Sequence, residues 1–470
     1  MKLGILFSGG KDSCLATNIA MKEDSVECFI SIISKNPHSY MFHTPNISMT
    51  EIQAKASNIP LITVESDGEE EIELKELKIA LERAKKEYKI QGIVTGAVES
   101  VYQATRVQRI CDELELYCFN PLWQKPQEEL ILELINEKFE VIISGVFAEP
   151  FDETWLGKKI DLKTLEELKK LNKSIYKISL TGEGGEFETT VLDAPFYKKR
   201  IEVKEFNTTY DNYVGNYVIE DYELKEKENL TIGKKSQVPC TKNRKYSDSK
   251  TDKVLVDNFS YRLCKSSFAK NAPGRMRQES AQVNCIEKNI LIINTSKQNL
   301  SELEYVNPII KTIKESNNYF VKNIEDVTEE LVNNKDVKRI IICGTSLKDE
   351  EYLKHINKLA FLKNTNKPIL GICAGFQILG QIFDETLVKV KEIGMIPVRI
   401  ISENKLVDEK EINVYSLHKN GFKVLKNFLI MGESENCPQI IKHKTKEIYG
   451  ISFHPEVRQE KIIKKFLEIN

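Results

Sequence analysis

Apolar and polar positions along the first 150 residues come in alternating blocks. Short β-branched or aromatic runs at 3–7, 26–33, 60–64, 90–95 and 140–147 are separated by longer, charged stretches with helical periodicity. Strands alternating with helices in this way predict a parallel sheet flanked by helices. The helical signal is clearest at 69–88, 127–138 and 161–172. In the last of these, Leu162, Leu165, Leu168 and Leu171 mark a narrow apolar stripe, and Asp161 is placed to cap the helix.

After residue 175 the pattern changes to strand and turn, through IYKISL, TGEGGEFETT, VLDAP and RIEV, which predicts a second, smaller lobe continuous with the first. Residues 225–252 hold few large apolar side chains and many lysines, the composition of a solvated connector. Residues 253–288 contain a turn signal, NAPGR, and are grouped with the second half of the chain. A second alternating series then starts, with strand-like runs at 289–294, 337–344, 367–375 and 447–456. The expected fold class is α/β, with two parallel-sheet units in tandem. The first spans 1–224, with a smaller α+β lobe from about 110, then comes a polar linker at 225–252, and the second spans 253–470 with its core at 289–470.

Bulk composition narrows the partners. In 470 residues, 41% apolar and 29% charged, no window approaches the length of apolar chain that crosses a bilayer, about 20 residues. The first fifteen residues read as a strand rather than an export leader, so a cytoplasmic location with no membrane partner is expected. With 68 basic and 70 acidic residues the net charge is −2, which supplies no general field for nucleic acid, and none is expected as a direct partner. The ten cysteines include no Cys-x-x-Cys pair, and the six histidines no ligand pair, as expected of buried thiols in a reducing compartment without a structural metal.

Two short stretches carry chemistry. The first, Ser8-Gly9-Gly10-Lys11-Asp12-Ser13, follows the first strand and opens a helix. Glycines there let successive N–H groups converge on an anion at the positive end of the helix, although Gly-Gly also serves in a plain strand-to-helix turn. Lys11 adds a point charge, Ser8 and Ser13 add hydroxyl donors, and Asp12 is suited to hold magnesium among phosphate oxygens. Gly96 follows a strand at the end where α/β sheets bind ligands, and Arg106 is a candidate phosphate or carboxylate clamp. Glu183, Glu186 and Glu188 flank another Gly-Gly turn, either as part of a site or as a solvated hairpin; His43 is either polar core or site.

The second stretch is PILGICAGFQ, where a strand ends at Ile372 and Cys373 sits at a bend between Gly371 and Gly375. ISFHPE places His454 and Glu456 at the end of another strand. Cys373, His454 and Glu456 are a complete set of types for thiolate chemistry, with the imidazole taking the thiol proton and the carboxylate setting the tautomer, while a merely buried cysteine is the plainer alternative for Cys373.

The SGGKDS loop resembles the pyrophosphate loop of ATP pyrophosphatases. Together with YMFHTPN at 40–46, GAVESVYQATRVQRIC at 96–111 and GEGGEFETTVLDAPFYKKRI at 182–201, it resembles the diphthine–ammonia ligase family from Met1 to about residue 205. That resemblance implies an ATP-dependent amide ligase acting on a modified histidine of elongation factor 2. A carboxylate would be adenylated with release of pyrophosphate, ammonia would then displace AMP, and the Glu183–Glu188 loop would help recognise the acyl substrate. Likewise G-x-C-x-G-x-Q followed by F-H-P-E resembles the class I glutamine amidotransferase domain over about 289–470. It implies that Cys373 attacks glutamine, that Ala374 N–H and the loop at Gly344 form the oxyanion hole with Gln377 nearby, and that the segment around His418 contacts the glutamine backbone. Here the loop reads Cys343-Gly344-Thr345, without the paired glycines common in that family. The two resemblances together imply ATP, magnesium and glutamine as reagents. The alternatives are a tRNA-modifying ATP pyrophosphatase, another glutamine-dependent ligase of small-molecule metabolism such as a GMP-synthetase-like enzyme, and a non-enzymatic nucleotide sensor.

Overall fold

Strand β1 (Lys2–Leu6) carries an unbroken apolar run because both faces of its sheet are covered. The computed structural model describes residues 1–34, 46–67, 70–227, 289–315 and 317–469. His43, residues 253–288 and all but the start of the expected linker lie outside the described residues. β1 is the middle of a five-stranded parallel sheet ordered β3 (Leu61–Ser66), β2 (Ser25–Ser34), β1, β4 (Gly92–Val94), β5 (Tyr117–Phe119). Winding reverses between β1 and β4, so a crevice opens beyond the carboxyl ends of these two strands. The segments that enter it are the SGGKDS loop and Thr95–Gly96.

A four-stranded antiparallel sheet forms the smaller lobe, ordered β7 (Phe187–Asp193), β6 (Glu140–Val146), β9 (Val214–Glu226), β8 (Lys199–Asp211). It closes over the loop: Val191 N–H donates to Gly9 O at 3.1 Å and Lys11 N–H to Thr189 Oγ1 at 3.1 Å. IYKISL is not a strand here. Its backbone is served by side chains instead of a neighbouring strand, with Leu180 N–H donating to Gln127 Oε1 and Ser179 N–H to Glu186 Oε1, and Ile175 is exposed.

The second half builds a nine-stranded sheet. Five strands are parallel, in the order β11 (Asn318–Asn323), β10 (Asn289–Asn294), β12 (Val337–Ile342), β13 (Ile369–Ile372), β18 (Ile448–Ile451). They continue antiparallel through β17 (Pro438–His443), β16 (Phe428–Glu433), β14 (Val388–Ile400) and β15 (Glu411–Gly421). Separate buried clusters cover the two faces of this sheet.

Both halves belong to one compact unit. The helix Val101–Glu113, capped by the Ser100 hydroxyl, packs on β14. Arg109 Nη2 donates to Ile393 O at 2.8 Å, and Asp112 pairs with Lys391 at 3.0 Å and Lys419 at 2.9 Å. Burial pushes the Asp112 carboxyl up, but these two lysines outweigh it and hold it below the ordinary aspartate range. Gly394, at φ +112°, lets the hairpin settle against Thr105, where a Cβ would lie 2.8 Å from a methyl carbon. No helix among the described residues is long and apolar enough to cross a membrane.

In the helix Leu162–Lys173, Leu165 and Leu168 are buried, whereas Leu162 faces solvent. Asp161 caps it, its carboxylate accepting from Thr164 N–H at 2.8 Å. Asp161→Ala is expected to lower stability by about 1 kcal/mol, read from the denaturant midpoint; an unchanged midpoint would show that the cap contributes nothing.

Candidate functional site

The nucleotide-facing cavity is large, about 1430 Å³. Ser8, Gly10, Lys11, Asp12 and Ser13 line it, together with Gly96, Glu183 and Glu188. Gly9 adopts φ +76°, and Gln53 fills the space beside it, donating to Gly9 O and Val191 O at 2.9 Å each. Gly10 is the N-cap of the helix Lys11–Glu23 and supplies no side-chain cap, which leaves the first-turn N–H groups largely without side-chain acceptors. A Cβ on Gly96 would lie 2.7 Å from Ser13 N, so the end of β4 and the loop touch through bare backbone.

Lys11 is buried and donates to Asp12 Oδ2 at 2.7 Å. Burial alone would lower its pKa, but Asp12, Glu183 and Glu188 around it outweigh that and keep it a cation. The same burial, with Asp12 nearby, pushes Glu183 and Glu188 up to about 7, against the pull of Lys11. Asp12 Oδ1 is buried and accepts no hydrogen bond among the described residues. A hard divalent cation suits such an oxygen, so Asp12 fits magnesium.

Two expected residues lie elsewhere. Glu186 turns back on its own loop, accepting from Ser179 N–H at 2.7 Å and Gly184 N–H at 2.9 Å, and braces the loop instead of lining the cavity. The Arg106 guanidinium stacks 3.4 Å from the centre of the Tyr102 ring, and it is Tyr102 that reaches the cavity wall.

The second site is tight. Cys373 has φ +50° and ψ −101° at the junction of β13 and the helix Ala374–Ile382, a strained bend that presents the thiol. Close packing demands glycine on either side: a Cβ at Gly375 would meet Ile342 O at 2.2 Å, and one at Gly371 would meet Gly375 O at 2.5 Å. Gly344 lies where Cys373 and His454 converge, with a Cβ there 2.7 Å from His454 Cε1 and 3.3 Å from Cys373 Cβ. His454 Nδ1 and Glu456 Oε1 are 2.8 Å apart, fully buried. Burial disfavours the imidazolium, yet the charges of Glu456 and Cys373 outweigh it and raise the His454 pKa well above its ordinary value. The Cys373 thiol donates to Leu417 O at 3.4 Å and lies close enough to His454 to interact with its ring.

The pocket at Cys373 holds only about 20 Å³ and is lined by Thr345, Ser346, Tyr352, Ala374, Gln377 and the 417–420 segment. The Gln377 amide is engaged on both ends, accepting from Tyr352 Oη and donating to Asn420 O at 3.1 Å, so it shapes the wall. His418 is buried, with its ring nitrogens 3.1 Å from Val390 O and 3.1 Å from Glu392 Oε2. Glu392, His418 and Cys437 are spaced as a metal trio, but Glu392 already accepts from Ser434, Asn436 and Gln439 and is satisfied without one. A further cavity of about 310 Å³ along the seam shares Leu347 and Lys419 with the pocket. Sequence reasoning missed Tyr352 and Ser346, and also Tyr305, whose ring packs 5.3 Å from that of His454; no local motif marks them.

Comparison with known proteins matches three families along the chain. The families described as diphthamide synthase N-terminal domain and C-terminal domain match residues 1–118 and 127–224, and glutamine amidotransferase class-I matches 301–469. The diphthine–ammonia ligase of Bos taurus is 32% identical over 228 residues, covering 43% of this chain and 83% of that protein. A subunit of the glutamine-hydrolysing GMP synthase of Methanocaldococcus jannaschii is 35% identical over 151 residues, 30% of this chain and 78% of that one. A glutamine amidotransferase structure from Thermotoga maritima aligns at 20% identity and TM-score 0.30 over 39% of this chain and 81% of that chain.

Glu183 and Glu188 set a pH dependence. A carboxyl raised from 4.5 to about 7 in the folded state contributes stability that is present below pH 4.5 and lost as pH rises towards 7. Glu188→Gln removes one such group, so the denaturant midpoint of the nucleotide-free protein should fall less between pH 4.5 and 8 than in the wild type; an identical fall would contradict the burial argument.

Proposed function

The chain belongs to the diphthine–ammonia ligase family, and from that premise we propose that it converts the diphthine carboxylate of elongation factor 2 to the amide, using ATP and ammonia drawn from glutamine in its own second half. The observation that carries this reading is the pairing, in one chain, of a Lys11–Asp12 phosphate loop with a buried His454–Glu456 pair beside Cys373. An ATP-dependent amide ligase with a glutamine amidotransferase domain needs both.

In the first half the substrate carboxylate attacks the α-phosphorus of ATP and pyrophosphate leaves. Lys11 and the helix N-terminus are suited to hold the pyrophosphate charge. Magnesium, held by Asp12, would add charge neutralisation among the phosphate oxygens. Ammonia then attacks the acyl carbon, the bond to AMP breaks, and one proton is released. A carboxyl pushed up to about 7 by burial, as at Glu183 and Glu188, is matched to accept it.

In the second half the Cys373 thiolate attacks the glutamine side-chain amide, and His454 delivers a proton to the departing ammonia. Water, deprotonated by His454, next clears the thioester as glutamate. Ala374 N–H, at the start of a helix, supports the oxyanion role assigned to it and to the Gly344 loop. The cavity along the seam offers the amino acid an approach to the pocket.

Ammonia at neutral pH is mostly protonated and then has no lone pair for attack, so a dry passage matters. Ala97, Val101 and Trp123 from the first half and Tyr305, Tyr415 and Leu417 from the second form one buried cluster. Ala97 also lines the nucleotide cavity and Leu417 the Cys373 pocket, so this cluster is suited to a water-excluding passage between them.

Cys373→Ala is expected to lower glutamine-dependent amidation by about a thousandfold or more while leaving activity at high ammonium largely intact. Equal loss of both would contradict the division of labour. Lys11→Ala should abolish AMP formation with either nitrogen source, measured by nucleotide chromatography; retained AMP formation would remove Lys11 from the phosphate site.

A further inference from the structure

The seam cavity, about 310 Å³, is bounded by Gln108, Asp112 and Glu115 from the first half and by Leu347, Lys348 and Lys419 from the second. Gln108 lies in the helix Val101–Glu113 and is 2% exposed, yet its Nε2 meets no acceptor among the described residues. A dry amide N–H without a partner costs about 1–3 kcal/mol, so this wall favours a ligand that brings an acceptor.

The charges beside it call for the same kind of ligand. Lys348 stands 5.2 Å from the centre of the Tyr117 ring and donates to Glu115 O, which fixes its ammonium in the cavity wall. Burial, followed by the charges of Lys85 and Lys419, depresses its pKa against the pull of Glu115. Lys85 is itself held there, donating to Leu114 O at 2.6 Å. Asp112 gives no relief, because Lys391 at 3.0 Å and Lys419 at 2.9 Å already take its two oxygens. An entering anion would offset the repulsion among these lysines.

Such an anion is made next door. The Cys373 pocket shares Leu347 and Lys419 with the cavity. Hydrolysis of glutamine turns a neutral amide into a carboxylate, so the amino acid arrives with no net charge and departs with one negative charge. Leu116 and Leu347 offer its methylene stem an apolar wall that a bare inorganic anion could not use.

We propose that the seam cavity is a carboxylate-binding site for free glutamate, held by Gln108 Nε2 and the Lys348 ammonium as it leaves the thiol pocket. This deepens the reading of the chain as a glutamine-using ligase and rests on it. Gln108 supplies direction and Lys348 supplies charge, so product is told from substrate by the one group in which they differ.

The test is isothermal titration of the full chain with L-glutamate, L-glutamine and inorganic phosphate in turn. Glutamate is expected to bind at least about fivefold more tightly than either of the others, and more weakly as salt rises. Gln108→Leu and Lys348→Met should each weaken glutamate binding about tenfold. Gln108→Leu also removes an unmet donor, so its denaturant midpoint without glutamate is expected to match or exceed that of wild type. Lys348→Met decides alone if Gln108→Leu does not fold. Unchanged glutamate binding in either folded variant overturns the proposal, as does equal or tighter binding of glutamine or phosphate. Wild-type protein that hydrolyses glutamine but does not bind glutamate overturns the proposal and leaves the ligase reading standing. Glutamate binding with the expected losses, in a protein that never hydrolyses glutamine, overturns that reading instead.

Discussion

The seam between the two halves is fixed by a carboxylate that water does not reach. Glu304 belongs to the second half, and the donors that both its oxygens take from Asn120 belong to the first. Removing the Asn120 donors while the seam stays closed would leave a dry carboxyl without those partners, a penalty of about 1–3 kcal/mol. Trp123 against Tyr415, with ring centres 5.9 Å apart, and the two lysines on Asp112 add a dry centre and a charged rim to the same contact. The two sites thus lie in one packed unit.

The two sites solve opposite electrostatic problems. The nucleotide cavity gathers Asp12, Glu183 and Glu188 around one buried lysine, so it is poised for an incoming cation and a polyphosphate that rebalance its charges. The thiol site has one charge pair, His454 with Glu456, sealed among aromatic rings, and the imidazolium is favoured without any ligand. A broad, wet, multiply charged crevice and a dry, singly paired one can share a chain because separate sheets build them.

Much of this was legible locally, and the remainder was not for identifiable reasons. Apolar runs buried on both faces announced most of the parallel strands, although the run at 140–147 became β6 of the antiparallel lobe, and Asp161 announced a helix start because capping depends on three residues of chain. The strands β11 and β14 to β17 were not read, since an exposed edge and an antiparallel extension carry mixed polarity that only their neighbours explain. Cys373 and His454 stood out because a strained turn needs glycines at fixed offsets, whereas Asn120, Glu304 and Tyr305 belong to no motif. They acquire meaning only where the halves dock, and docking is a relation among residues more than 180 positions apart. Glu186 shows the converse, since a carboxylate in a glycine turn signals chemistry or a loop brace equally well until its hydrogen bonds are seen.

The space beside Cys373, about 20 Å³, is enough for roughly one water molecule and far short of an amino-acid side chain. A wall this close turns nitrogen use into an economy of sequence. On the proposed reading, the walls at Ser346, Tyr352 and the 417–420 segment would have to part for a glutamine side chain to reach the thiol. A thiol walled in this closely would spend its nitrogen donor only when those walls move, a restraint set by packing with no separate inhibitor required.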